Sequence, residues 1–227
     1  CRKMDIKITP PDINEGESGF SVSDGNIRYG LSAIKGLGKS VIDAIAEERS
    51  KNGQFKDLRE FITRLSAKEV NKRTIESFIK SGAFDSIPGT RKQLMMIYLQ
   101  VLEDVTKEKK DNLSGQMSFF DFMGEEQKAK YQDAYPDIGE YTNEEILSFE
   151  KEVLGIYISG HPLESYQELL EKNITVTSID FMLDDETNIP NVKDGNYETI
   201  GGIISSITRK TTKTNALMAF ITIEDII

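Results

Sequence analysis

The chain has 227 residues, 38% of them hydrophobic and 29% charged, with a formal net charge of −10. That length suits one large domain or two to three small ones, and no apolar run approaches the ~18 residues a membrane span needs, which excludes a membrane protein. A single cysteine, Cys1, and a single histidine, His161, exclude both a disulfide framework and a Cys/His zinc site within one chain. This usage fits a reducing, cytoplasmic setting.

Position 1 is Cys rather than Met, no charged-then-apolar leader follows, and a β-like run reaches Ile227; we therefore expect an internal segment of a longer protein. The charge is uneven. Residues 27–110 carry 17 Lys/Arg against 11 Asp/Glu, whereas residues 111–227 carry 8 against 22. A basic module thus precedes an acidic one. Phosphate affinity follows local cation density, so the negative total does not exclude DNA.

In chain order, Phe20 to Val22 and Ile27 to Tyr29 form short strands about a turn at Asp24-Gly25. From Leu37 the period becomes helical, with Leu37, Val41, Ile42 and Ile45 on one face, stopping at Asn52-Gly53. Asp57, with Glu60 three positions on, caps a second helix to Leu65. A third carries Val70, Ile75, Phe78 and Ile79 and ends at Gly82. A fourth runs from Thr90 through Leu94, Ile97, Tyr98, Val101 and Leu102 into Lys107 to Asp111. Residues 111–140 lose periodicity except for an apolar knot, Met117, Phe119, Phe120, Phe122 and Met123. Helical spacing resumes at Ile146, Phe149, Val153 and Ile156, and Pro162 suits the first turn of a helix to about Glu171. Residues 197–207 and 217–223 are expected as strands around a polar turn at Thr211 to Asn215.

The most informative stretch is Ile34-Lys35-Gly36-Leu37-Gly38-Lys39-Ser40. As a P-loop it fails, because the first glycine would fall on Ala33; as a dinucleotide fingerprint it fails at Val41. As the hairpin of a helix-hairpin-helix element it fits. The glycines allow positive φ and close backbone approach, and the following helix offers free N–H groups at its positive end, flanked by Lys35 and Lys39. Such contacts ignore base identity. An ordinary glycine turn between helices is the alternative. Val70-Asn71-Lys72-Arg73-Thr74 opens a helix in the same way without glycines; Lys72 and Arg73 are either a second phosphate grip or a solvated helix start.

Three runs, IRYGLSAIKGLG (27–38), VNKRTIESFIKSGAFD (70–85) and EKEVLGIYISGHPL (150–163), together with ITPPDIN (8–14), resemble in order and spacing the C-terminal part of the α subunit of bacterial DNA polymerase III, the C-family replicative polymerases. The resemblance covers nearly the whole chain. It implies a mainly α fold: the tail of a preceding fingers domain (1–29), a tandem helix-hairpin-helix module (30–110), an acidic linker with a clamp-binding peptide (111–140), a helical connector (141–190) and the first strands of an incomplete OB-fold (197–227).

It further implies that Lys35, Gly36, Leu37, Gly38, Lys39, Ser40, Asn71, Lys72 and Arg73 hold duplex DNA without regard to sequence. Gln116, Met117, Ser118, Phe119 and Phe120 would dock a sliding clamp, with Phe119 departing from the commoner aliphatic residue; alternatively the linker folds its phenylalanines back on its own helices. Arg209, Lys210 and Lys213 would meet single-stranded template. Other replisome subunits are implied partners. No catalytic residue, metal or cofactor is expected within these residues, since the family's magnesium-binding palm aspartates match nothing here. Asp184-Asp185-Glu186 is expected to be a solvated loop, His161 a helix-start residue, and Cys1 has no activating partner. An unrelated helix-hairpin-helix repair or recombination factor, or a protein-docking module without nucleic-acid affinity, remains the alternative.

Overall fold

Asp24 and Gly25 both take positive φ, 51° and 76°, the backbone of a tight two-residue hairpin turn. They fold β2 (Ser21–Ser23) onto β3 (Asn26–Arg28), and β1 (Ile8–Thr9) joins the other edge of β3 in parallel. The computed structural model describes residues 4, 6–65, 69–113, 134–184 and 187–226. The chain folds as two compact units, Cys1–Ser159 and Gly160–Ile227. The division falls within the stretch expected as a helical connector.

In the first unit, α1 (Lys39–Asn52), α2 (Leu58–Arg64), α3 (Lys72–Ser81) and α4 (Arg91–Leu113) follow the small sheet, and α5 (Asn143–Leu154) packs against α3. The caps follow the expected chemistry. Asp57 accepts from the Glu60 N–H at 2.7 Å and Asn71 from the Thr74 N–H at 3.1 Å, each satisfying an orphan donor of the first turn. Thr142 and Glu145 form a reciprocal capping box on α5. α4 is capped twice over: Thr90 and Gln93 exchange hydrogen bonds, and the Glu140 carboxylate accepts from the Arg91 and Lys92 N–H groups at 2.8 and 3.0 Å.

The core is a cluster of edge-on rings. Phe61 lies 5.1 Å from Phe55, 5.7 Å from Phe78 and 5.0 Å from Phe84, all four fully buried. Val41, Ile42 and Ile45 of α1, Ile75 and Ile79 of α3, and Leu94, Tyr98, Val101 and Val105 of α4 close around them. Ile13 and Tyr29, from the stretch expected as the tail of a fingers domain, belong to this same core.

Two expectations differ in detail in this unit. The arm before the first hairpin is a single 3₁₀ turn, Leu31–Ala33, rather than a helix. There the Lys35 N–H, which an α-helix would direct to the Leu31 carbonyl, donates instead to the Val153 carbonyl at 2.8 Å, and Leu31 accepts from the Ile34 N–H at 3.2 Å. On α5 the buried stripe is Leu147, Glu150, Val153 and Leu154, not Ile146, Phe149 and Ile156.

A carboxylate on a buried stripe needs donors. Glu150, wholly buried, accepts from the Ile158 and Ser159 N–H groups (2.7 and 2.9 Å), the Ser159 hydroxyl (2.5 Å) and Arg91 Nη1 (3.3 Å). Arg91 also binds Asp85 through Nε at 3.0 Å and Nη2 at 2.7 Å. Burial works against the guanidinium charge, but the Asp85 and Glu150 carboxylates outweigh it and hold Arg91 above its ordinary value. Gly82 makes room for this pair. It takes φ 79° at the end of α3, and a Cβ there would stand 2.2 Å from Arg91 Nη2.

The second unit contains α6 (Gln167–Asn173) and an antiparallel ribbon of β4 (Ile203–Thr211) and β5 (Leu217–Glu224). Pro162 precedes a 3₁₀ turn, Glu164–Tyr166, instead of opening α6. His161 Nδ1 accepts from the Leu163 N–H at 3.2 Å and its carbonyl from the Glu164 N–H at 3.0 Å, which turns the chain before the helix begins. Among the described residues no helix is long and apolar enough to cross a membrane. Replacing Arg91 by Met strands the Glu150 charge, and urea unfolding of that variant is expected to show a loss of about 3 kcal/mol.

Candidate nucleic-acid interface

The first hairpin is anchored from beneath and open above. Ile34 is buried and Leu37 half-buried, while Lys35, Gly36, Gly38, Lys39 and Ser40 are exposed. Gly36 takes φ 86°, a conformation that favours glycine. Gly38 is the N-cap of α1 and contributes no side-chain acceptor, and the Val41 N–H donates to its carbonyl at 3.2 Å, which leaves the amides of the exposed Lys39 and Ser40 at the positive end of a 14-residue helix.

α5 holds this turn in place. The Lys35 N–H donates to the Val153 carbonyl at 2.8 Å and the Tyr29 hydroxyl to the Leu154 carbonyl at 2.8 Å, satisfying carbonyls that the end of α5 leaves orphaned. Lys35 Nζ lies 3.5 Å from the Cβ position of Gly155, the C-cap of the same helix, where the dipole favours a cation.

The second hairpin stands beside the first. Arg73 Nε lies 3.2 Å from the Cβ position of Gly36, so the guanidinium covers the open face of that glycine. The Ser77 hydroxyl donates to the Lys35 carbonyl at 3.4 Å. Asn71 is the cap of α3, which gives it a local structural task, whereas Lys72 and Arg73 are exposed. A groove of about 610 Å³ runs between the hairpins, lined by Lys35, Lys72, Arg73, Glu76, Lys80 and Glu152 among others. All but one of the nine residues expected to hold duplex DNA are exposed, the exception being the half-buried Leu37, and Lys35, Lys72 and Arg73 among them line this groove.

Lys80, Glu76 and Glu152 were missed by motif reading, though the spacing 72, 76, 80 on α3 was a usable signal. Among the described residues no ion pair engages Lys35, Lys39, Lys72 or Arg73. The carboxylates are otherwise occupied. Glu76 accepts from the Tyr98 hydroxyl, and Glu152 takes Lys80 Nζ at 2.8 Å through both oxygens. Desolvation first, and the Glu76 carboxylate second, push the Tyr98 phenol up to about 12 from its ordinary value of 10.0.

In the second unit the three basic candidates do not converge. Arg209 opposes Ala219 and Lys210 opposes Met218, so the two cations project from opposite faces of the ribbon. Lys210 Nζ stands 5.4 Å over the exposed Phe220 ring, and Lys213 lies in the turn.

A family model described as a helix-hairpin-helix motif matches residues 5–94. The chain is 40% identical to the DNA polymerase III subunit alpha of Deinococcus radiodurans over 96% of its length, 37% identical to that of Borreliella burgdorferi over 99%, and 34% identical to that of Haemophilus influenzae over 99%. Over nearly its whole length the chain is similar to one part of the alpha subunits of DNA polymerase III. It spans 16 to 19% of the length of these curated relatives.

The polymerase III alpha match extends through the linker, whose Gln116, Met117, Ser118, Phe119 and Phe120 lie outside the described residues, as does Cys1. Asp184 accepts from the Thr187 N–H and hydroxyl, capping a turn, while Asp185 and Glu186 also lie outside the described residues. No group of three or more His, Cys, Asp or Glu among the described residues could hold a metal ion.

Tyr98 sets an alkaline limit. The unfolded phenol loses its proton near 10.0 and the folded one near about 12; between them the unfolded chain binds fewer protons, so stability falls as pH rises. Chemical denaturation across that window is expected to show this decline, and Tyr98→Phe to flatten it.

Proposed function

We propose that the first unit grips duplex DNA independently of sequence, as part of a replicative DNA polymerase subunit engaged in template-directed synthesis. One observation carries this reading: two exposed, basic helix starts stand side by side, with Arg73 of one laid over Gly36 of the other. Outward amides of α1 and the cations Lys35, Lys39, Lys72 and Arg73 suit the sugar-phosphate backbone and carry no base-reading geometry. The helix-hairpin-helix match and the polymerase relatives support the same reading. A repair or recombination factor would use similar hairpins, but polymerase alpha subunits match nearly the whole chain, including its non-hairpin parts.

The nucleotidyl transfer itself, with its magnesium, belongs to the parent polymerase outside these residues, in the cytoplasm and among other replisome subunits. β4 and β5 serve as the first strands of a single-strand-binding OB-fold, with Phe220 as a stacking surface and Lys210 above it. Gln116 to Phe120 dock the sliding clamp by burying two adjacent aromatic rings, a reading supported by the family resemblance of this run.

Lys35→Glu with Lys39→Glu is expected to weaken duplex binding about tenfold at low salt, equally for unrelated sequences, in an anisotropy titration. Salt-insensitive binding would defeat the grip. For the linker, Phe119→Ala with Phe120→Ala is expected to abolish capture on immobilised clamp; undiminished capture would assign docking to another segment.

A further inference from the structure

Lys72, Glu76 and Lys80 recur at four-residue spacing on α3, with Arg73 and Ser77 beside them, so one helix face supplies most of a groove wall. Lys80 differs from Lys72 and Arg73 in being occupied: Glu152 of α5 receives its ammonium through both carboxylate oxygens at 2.8 Å. The two partners are unequal. Lys80 is 22% exposed and rests 5.5 Å from the centre of the Phe149 ring, whereas Glu152 is 59% exposed at the groove rim. Departure of Glu152 therefore returns a carboxylate to water with little desolvation to undo, while Lys80 remains seated. Glu76 accepts from the Tyr98 hydroxyl and forms no ion pair with Lys80 among the described residues.

Resting on the duplex-grip reading, we infer that Lys80 is a further phosphate-binding residue of this groove, with Glu152 as a resident counter-charge that an incoming DNA phosphate displaces. Lys80 stands two helical turns, about 12 Å, beyond Lys72, which extends the contact from the helix start along the body of α3. The phosphate replaces one carboxylate by another anion, and Glu152 regains its hydration. Glu152 thereby lowers affinity for duplex and makes release easier.

The test is a double-mutant cycle in the full 227-residue chain, read by anisotropy of a fluorescently labelled duplex over a salt series. Glu152→Gln, at an exposed position, is expected to tighten binding about two- to fivefold at low salt. Lys80→Gln is expected to weaken binding and to make the slope of log K against log salt shallower by about 0.9, the loss of one phosphate contact. In the Lys80→Gln background the gain from Glu152→Gln should fall toward unity. An undiminished gain in that background, or an unchanged salt slope in Lys80→Gln, would overturn the inference, since Glu152 would then act only through the general field. If Lys35→Glu with Lys39→Glu weakens binding while the cycle shows no coupling, the inference alone fails. If that double variant binds duplex like the parent chain, the grip fails and the inference falls with it.

Discussion

The carboxylate of Glu150 sits in the interior of the first unit with three hydrogen bonds from one loop and one from Arg91. A charge so placed is tolerable only with a complete set of donors, and this requirement pins several elements at once. Arg91 opens α4, Asp85 follows α3, and Glu150 belongs to α5, so one ionic cluster locates three helices. α5 in turn presents its last carbonyls to the Lys35 N–H and the Tyr29 hydroxyl. The shape of the basic hairpin thus depends on a charge pair remote from its own residues.

Electrostatics on the surface follow the same economy of pairing. The chain is acidic overall, yet the groove between the hairpins is cationic because four cations, Lys35, Lys72, Arg73 and Lys80, line it against two carboxylates, Glu76 and Glu152. Tyr98 binds Glu76 and Lys80 binds Glu152, while the cations nearest the two helix starts form no ion pair among the described residues. Field lines in a concave surface concentrate such local imbalance, so the sign of the groove matters more for an anionic polymer than the sign of the total.

The second unit has a different character. Its ribbon exposes Ile204, Ile207, Phe220 and Ile221 together with Lys210, and cross-strand register decides which of these share a face. Arg209 and Lys210 are adjacent in the chain but serve opposite faces, a consequence of the two-residue period of a strand.

Much was legible in the chain itself. The Asp24-Gly25 turn, the Asp57 cap, the Gly82 stop and the buried faces of α1, α3 and α4 follow from local rules, because turn chemistry and helical period act within a few residues. The Lys35 to Ser40 hairpin was legible for the same reason: glycine conformational freedom and helix-end polarity are local properties. What the sequence did not reveal needed long-range partners. Nothing near Leu31 says that the Val153 carbonyl takes the Lys35 N–H and confines the arm to one 3₁₀ turn. No local pattern around Glu150 marks it as buried, and only its meeting with Arg91 and Ser159 puts it inside. Local periodicity therefore determined where helices begin, turn and end. Tertiary contact alone decided which charges are buried, which are paired, and which are left facing the groove, since each depends on residues tens of positions apart.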